Sequence, residues 1–168
     1  AAHVGDDTEV IDLDGRLAIP GFIEGHGHFV GLGQAKMNLD LMHVKNWAEV
    51  IALVEEAVAH AAPGEWIVGR GWHQEKWDRR PPDHVEGFPV HHDLSAVSPD
   101  NPVHLTHASG HASFANKKAM DVSGISASTP DPPGGDLIRD ASGNPTGALR
   151  ETASGLIRVR RGLGGDPS

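Results

Sequence analysis

An α/β fold is predicted by three features of the 168-residue sequence. Short apolar runs rich in Val, Ile, Leu and Trp recur between turn residues. One longer segment carries apolar residues at helical spacing, and the two kinds of segment alternate along the chain. Gly (21) and Pro (12) together make up roughly a fifth of the residues, against an average nearer 12%, so many loops join the elements.

Residues 9–13 alternate as Glu-Val-Ile-Asp-Leu and end at Asp14-Gly15, a pair favoured where the backbone needs positive φ, which predicts a short strand and a tight turn. Residues 22–25 follow a Pro-Gly break and read as a buried strand that stops where His26 and His28 begin. A helix is predicted from an Asn46 cap to Ala61, stopped by Pro63-Gly64. Trp47, Val50, Ile51, Val54, Ala57, Val58 and Ala61 form its apolar stripe, with Glu49, Glu56 and His60 on the other side. Full burial of that stripe could contribute on the order of 8 kcal/mol before entropy is subtracted. Residues 65–72 and 103–107 read as strands. Residues 111–123 read as a helix closed by Gly124, with Phe114, Ala115, Ala119 and Val122 at helical spacing. Residues 137–139 and 146–149 read as the arms of a hairpin across residues 140–144.

The net charge is −9, and the longest basic cluster is Arg158-Val159-Arg160-Arg161, a poor match to phosphate backbones or anionic lipid; neither nucleic acid nor a membrane is an expected partner. The absence of Cys excludes disulfides, thiolate zinc fingers and a cysteine nucleophile, leaving His and carboxylates as the metal ligands on offer. No apolar run approaches the roughly 18 to 20 residues that span a bilayer, and no signal peptide is visible. A cytoplasmic location is the expectation.

His26 and His28 are the sharpest chemical feature. Two residues apart on an extended segment, they share one face and can grip one ion, while Gly25 and Gly27 leave room for it. Imidazole suits zinc, iron, nickel or copper. Among twelve His, such a pair also arises by chance as two solvated loop residues.

The string Ile11-Asp12-Leu13-Asp14-Gly15-Arg16-Leu17-Ala18-Ile19-Pro20-Gly21-Phe22-Ile23-Glu24-Gly25-His26-Gly27-His28-Phe29 resembles the start of the amidohydrolase superfamily, in which a small β domain leads into the first barrel strand. Trp66-Ile67-Val68-Gly69-Arg70-Gly71-Trp72, Gly110-His111-Ala112-Ser113-Phe114-Ala115-Asn116 and Pro145-Thr146-Gly147-Ala148-Leu149 are similar to its amidohydrolase 3, or YtcJ-like, branch, which includes N-substituted formamide deformylases. The resemblance implies a partial metal-dependent hydrolase fold of TIM-barrel type. Residues 1–20 would be the end of the small β domain, 21–45 barrel strand 1 with the metal motif and the following helix, 46–150 an inserted α+β segment, and 151–168 the start of the next barrel segment. A (β/α)8 barrel takes roughly 250 residues, so the barrel is expected to be incomplete and the chain, an internal piece, to be inactive alone.

The resemblance further implies that His26 and His28 ligate a divalent metal, zinc first among the choices, which activates water against a non-peptide, amide-type C–N bond of a small molecule. Glu151, in a Gly-x-Leu-x-Glu stretch, is a candidate third or bridging ligand, the alternative being a Glu in the first turn of a helix. His111 matches a substrate-facing segment, with an ordinary helix-start His as its alternative. Two more ligand histidines and a general acid/base Asp are expected beyond this chain. His91-His92-Asp93 falls at a polar helix start and reads as solvated surface. His73 stands where the branch commonly has an acid or amide, and His104 and His107 are expected in the core or at an interface. Two other readings stay open: a non-catalytic metal-binding or structural domain, and a parent that deaminates cyclic amidines. An orphaned barrel strand should expose backbone and apolar surface, making a homo-oligomer a further expectation.

Overall fold

The computed structural model describes residues 5–19, 21, 32–33 and 36–160. The strand expected over residues 22–25, and His26 and His28 with it, lie outside the described residues.

Asn46 caps a helix as predicted. Its Oδ1 accepts the Glu49 N–H at 3.1 Å, while the Glu49 carboxylate reaches back to the Lys45 N–H at 2.8 Å, so two backbone donors at the helix start find partners. Helix α1 (Trp47–His60) buries Trp47, Val50 and Val54, and Ile51, Ala57, Val58 and Ala61 pack partly buried alongside.

Among the described residues the strands are β1 (Leu39–Asp40), β2 (Ile67–Trp72), β3 (His84–Val85), β4 (Phe88–Pro89), β5 (Val103–His107), β6 (Ala112–Ala115), β7 (Gly135–Arg139) and β8 (Pro145–Glu151). Six of them form a mixed sheet in the order β1-β2-β5-β6-β8-β7, and β3 and β4 make a separate small hairpin. β1, β2 and β5 are parallel, with α1 in the connection from β1 to β2, whereas β6, β8 and β7 alternate in direction. The period of two along each strand gives the sheet two apolar faces. Leu105, Phe114 and Ala148 pack with Trp47, Val50 and Val54 of α1 and with Leu94 of helix α2 (His92–Val97). Ala115, Leu149 and Leu137 face the other way, against Ala119 and Met120 of helix α3 (Lys117–Val122) and Ala153 of a 3-10 turn (Thr152–Leu156).

Two expectations are corrected. Residues 9–13 form no strand, because no partner ladder reaches them among the described residues, and a lone hairpin is marginal in water. Val10 and Ile11 stay 76% and 73% exposed. The turn itself forms, with Asp14 and Gly15 at φ 49° and 75° and the Arg16 N–H donating to Leu13 O at 2.9 Å. The helix expected over residues 111–123 begins only at Lys117. Ala112–Ala115 is instead a fully buried strand hydrogen-bonded on both sides, by β5 and β8, and the ladders available there outweigh helical spacing. Asn116 then caps α3, and Gly124 at φ 74° follows its end.

The strand over residues 65–72 begins at Ile67, β5 has the predicted bounds, and the hairpin forms with Leu137 opposite Leu149 and Arg139 opposite Pro145. No helix of the described residues is long and apolar enough to cross a membrane.

Candidate functional site

The carboxyl ends of β2, β5 and β8 and the amino end of β6 share one edge of the sheet, because β2 and β5 run parallel and β6 reverses before β8. His73, His107, His111 and Glu151 therefore come from four places in the sequence to one edge. Gly147 lets β8 lie close to β6. Its φ is 99°, and a Cβ there would stand 2.4 Å from the Ala115 carbonyl oxygen, so a side chain is excluded both by conformation and by space.

Glu151 is the last residue of β8 and stands directly before the 3-10 turn. Its φ of 49° and ψ of −127° lie in a region that side chains rarely adopt, a conformation maintained only where neighbours over-determine it. His111 is one such neighbour, together with Gly135 of β7. The Glu151 N–H donates to His111 O at 2.8 Å, and His111 Nδ1 lies 3.1 Å from Glu151 Oε2. The residues predicted as metal ligand and substrate contact thus touch one another across 40 positions of sequence. The helix-start alternative for His111 fails, since it leads into a strand, whereas Glu151 does stand at the start of a helical turn, the 3-10 turn that follows it. Both side chains are exposed, at 55% for Glu151 and 73% for His111. At that exposure the pair contributes little to stability; its consequence is geometric.

Behind this pair lies a tight turn. Gly110 N–H donates to His107 O at 3.0 Å, the His111 N–H to Ser109 Oγ at 3.1 Å, and Ser109 N–H to His107 Nδ1 at 3.2 Å. His107 is buried against Trp72, at 4.8 Å between ring centres, and His73, at 4.5 Å. Burial, reinforced by His73, pushes its pKa down to about 4, and burial alone does the same for His104. Both are neutral at pH 7; His107 is buried and His104 half-buried. On the strand face opposite Glu151, Arg150 pairs with Asp136 at 2.6 Å and Glu86 at 2.9 Å and ties the end of β8 to its neighbours. His92 and Asp93 are exposed at the start of α2, in line with the solvated reading, whereas His91 is half-buried with its Nδ1 3.0 Å from Ser95 Oγ.

The residues at this edge suit a divalent ion in kind, since Glu151 offers a carboxylate whose other partner is an imidazole, the outer-partner arrangement common around bound metals. They do not suffice in number: no group of three or more His, Asp or Glu converges among the described residues. Any ion at Glu151 needs ligands from elsewhere in the protein.

Sequence reasoning missed two residues. Ser109 bonds both His107 and the His111 backbone, and only the Ser-Gly turn pair signals it. Asn116 is fully buried and joins α3, β5 and the chain at Ser98 and Asn101; its place just before Lys117 is a recognisable cap position.

Residues 9–160 match the amidohydrolase family. The chain is 37% identical over 155 residues to N-substituted formamide deformylase of Arthrobacter pascens, covering 90% of this chain and 27% of that protein. It is 35% identical over 151 residues to YtcJ of Bacillus subtilis (strain 168), again covering 90% and 27%. A crystal structure of an uncharacterized metal-dependent hydrolase from Pyrococcus furiosus superimposes with a TM-score of 0.53 at 28% identity, over 82% of this chain and 24% of that one. The chain therefore spans about a quarter of the length of these relatives.

Proposed function

The chain belongs to the amidohydrolase family, and from that membership we propose that it carries part of the metal site of a hydrolase acting on a non-peptide, amide-type C–N bond of a small molecule. The observation that carries the proposal is the Glu151 carboxylate, brought to the open carboxyl edge of the sheet and oriented there by His111. In this reading His26 and His28 hold the ion, zinc by donor preference, and Glu151 supplies a third or bridging oxygen. A divalent ion so held supplies a Lewis acid and an activated water.

The chain's own residues do the rest of what is proposed here. His111, exposed beside Glu151, lies where it meets both the carboxylate and an incoming substrate. His107, buried, and His104, half-buried, are both neutral at pH 7. In the same proposal residues 1–20 would be the end of the small β domain, 21–45 barrel strand 1 with the metal motif and the following helix, 46–150 an inserted α+β segment, and 151–168 the start of the next barrel segment. N-substituted formamide deformylase, similar over 90% of this chain, is named for chemistry of this class.

Zinc content after exhaustive dialysis, measured by mass spectrometry for the wild type and for His26→Ala with His28→Ala, tests the proposal. It expects zinc in the former and its loss in the latter. Equal zinc in both would overturn the ligand assignment.

A further inference from the structure

We propose that the turn at residues 107–111 is a brace that aims the Glu151 carboxylate, with His111 as the positioning residue and Ser109 and His107 as its anchor. The inference rests on the reading of Glu151 as a metal ligand.

Ser109 N–H donates to His107 Nδ1 at 3.2 Å, so that nitrogen carries no proton and the neutral ring bears its hydrogen on Nε2. Ser109 Oγ, 2.8 Å from the same Nδ1, is then also a donor, and with its lone pairs it accepts the His111 N–H at 3.1 Å. His111 completes the series toward Glu151 through two bonds of opposite sense: its carbonyl accepts the Glu151 N–H, and its Nδ1–H donates to Oε2. Each link restricts the next. The buried His107 ring fixes Ser109, Ser109 fixes the backbone of His111, and His111 fixes both the main chain and the carboxylate of a residue whose backbone sits in a strained region.

An exposed pair held only by its charges would swing freely and bring little. Here the His111 backbone is instead held from behind by a buried anchor, which sets where its imidazole starts toward Glu151, much as outer partners orient a metal ligand. His111 thereby gains a role distinct from touching substrate. It holds Oε2 in one direction, which would leave Oε1 free for an ion if Glu151 is a ligand.

Zinc affinity of the full chain, measured by competition with a chromophoric chelator, tests the brace without recourse to turnover. Glu151→Ala is the reference for loss of the ligand. His111→Ala is expected to bind zinc about tenfold more weakly than wild type, within the range for outer-partner variants. Ser109→Ala should fall in the same direction, Ser109→Thr should restore it, and His111→Asn should recover most of the loss, because an Asn amide nitrogen can stand where Nδ1–H stood. Wild-type affinity in His111→Ala and Ser109→Ala, beside weakened binding in Glu151→Ala, would overturn the brace and leave the ligand reading intact. Unchanged affinity in Glu151→Ala would overturn the ligand reading, and the brace with it. A loss in His111→Ala that His111→Asn does not recover would also overturn it, by showing that packing rather than the Nδ1–H bond matters. Circular dichroism of each variant shows that the sheet is retained; Ser109 and His111 are exposed, so their truncation leaves no core cavity.

Discussion

Asn116 Oδ1 accepts the backbone N–H of Val103 at 2.9 Å and that of Ala119 at 2.8 Å, joining the start of β5 to the first turn of α3. Its Nδ2 donates to Ser98 O at 3.0 Å, Ser98 Oγ at 2.8 Å and Asn101 O at 2.8 Å, so one fully buried amide serves three segments. Asn116→Ala strands buried donors and acceptors at about 1 to 3 kcal/mol each, and the expected loss is at least about 3 kcal/mol of unfolding free energy. Asn116→Asp keeps the acceptor but turns a carboxylate oxygen toward two carbonyls, and should cost a similar amount. Urea denaturation checks both; a midpoint within error of wild type for either would contradict this account.

Gly147→Ala tests the close approach of β8 to β6. With φ at 99° and the new Cβ 2.4 Å from Ala115 O, the strands must separate or the backbone rotate, and more than about 2 kcal/mol of stability should be lost. Gly143, at φ 84° with no atom within 4 Å of its Cβ position, serves as the control in which conformation alone is strained. Thermal unfolding should place Gly147→Ala well below Gly143→Ala.

Acid sensitivity is built into the core. Half-buried His104, desolvated on β5, takes a proton only near pH 4, whereas in the unfolded chain it does so near 6.5. Between these values the unfolded state binds more protons, so this contribution is whole above pH 6.5 and is lost as pH falls toward 4. At pH 5 the loss attributable to His104 is about 2 kcal/mol. His104→Asn should shrink the stability difference between pH 7 and pH 5 by that order. An equal difference in variant and wild type would locate the acid sensitivity elsewhere.

How far the sequence could be read depended on how local each cause was. α1 was legible because Asn46, the apolar stripe and Pro63-Gly64 all lie within its own span. β5 and the β7–β8 hairpin were legible for the same reason. β6 was not, since Ala-Ser-Phe-Ala fits either period and its strand state is imposed by β5 and β8 on its two sides. Residues 9–13 failed the opposite way: the local pattern was strand-like, but no partner ladder reaches it among the described residues. At the edge of the sheet, motif resemblance singled out Glu151 and His111 one at a time. Their contact spans 40 positions and depends on the direction of β6, which no local pattern encodes. Ser109 had no motif behind it, and its role follows only from the ring of His107 beneath it.

The central claim is that imidazoles of His26 and His28 and a carboxylate from Glu151 hold one divalent ion. A zinc K-edge X-ray absorption spectrum of the zinc-loaded chain tests it most directly. The account predicts a nitrogen and oxygen shell at about 2.0 to 2.2 Å with the outer-shell scattering of two imidazoles, that scattering disappearing in His26→Ala with His28→Ala. A spectrum without imidazole scattering, or one the double substitution leaves unchanged, would contradict it.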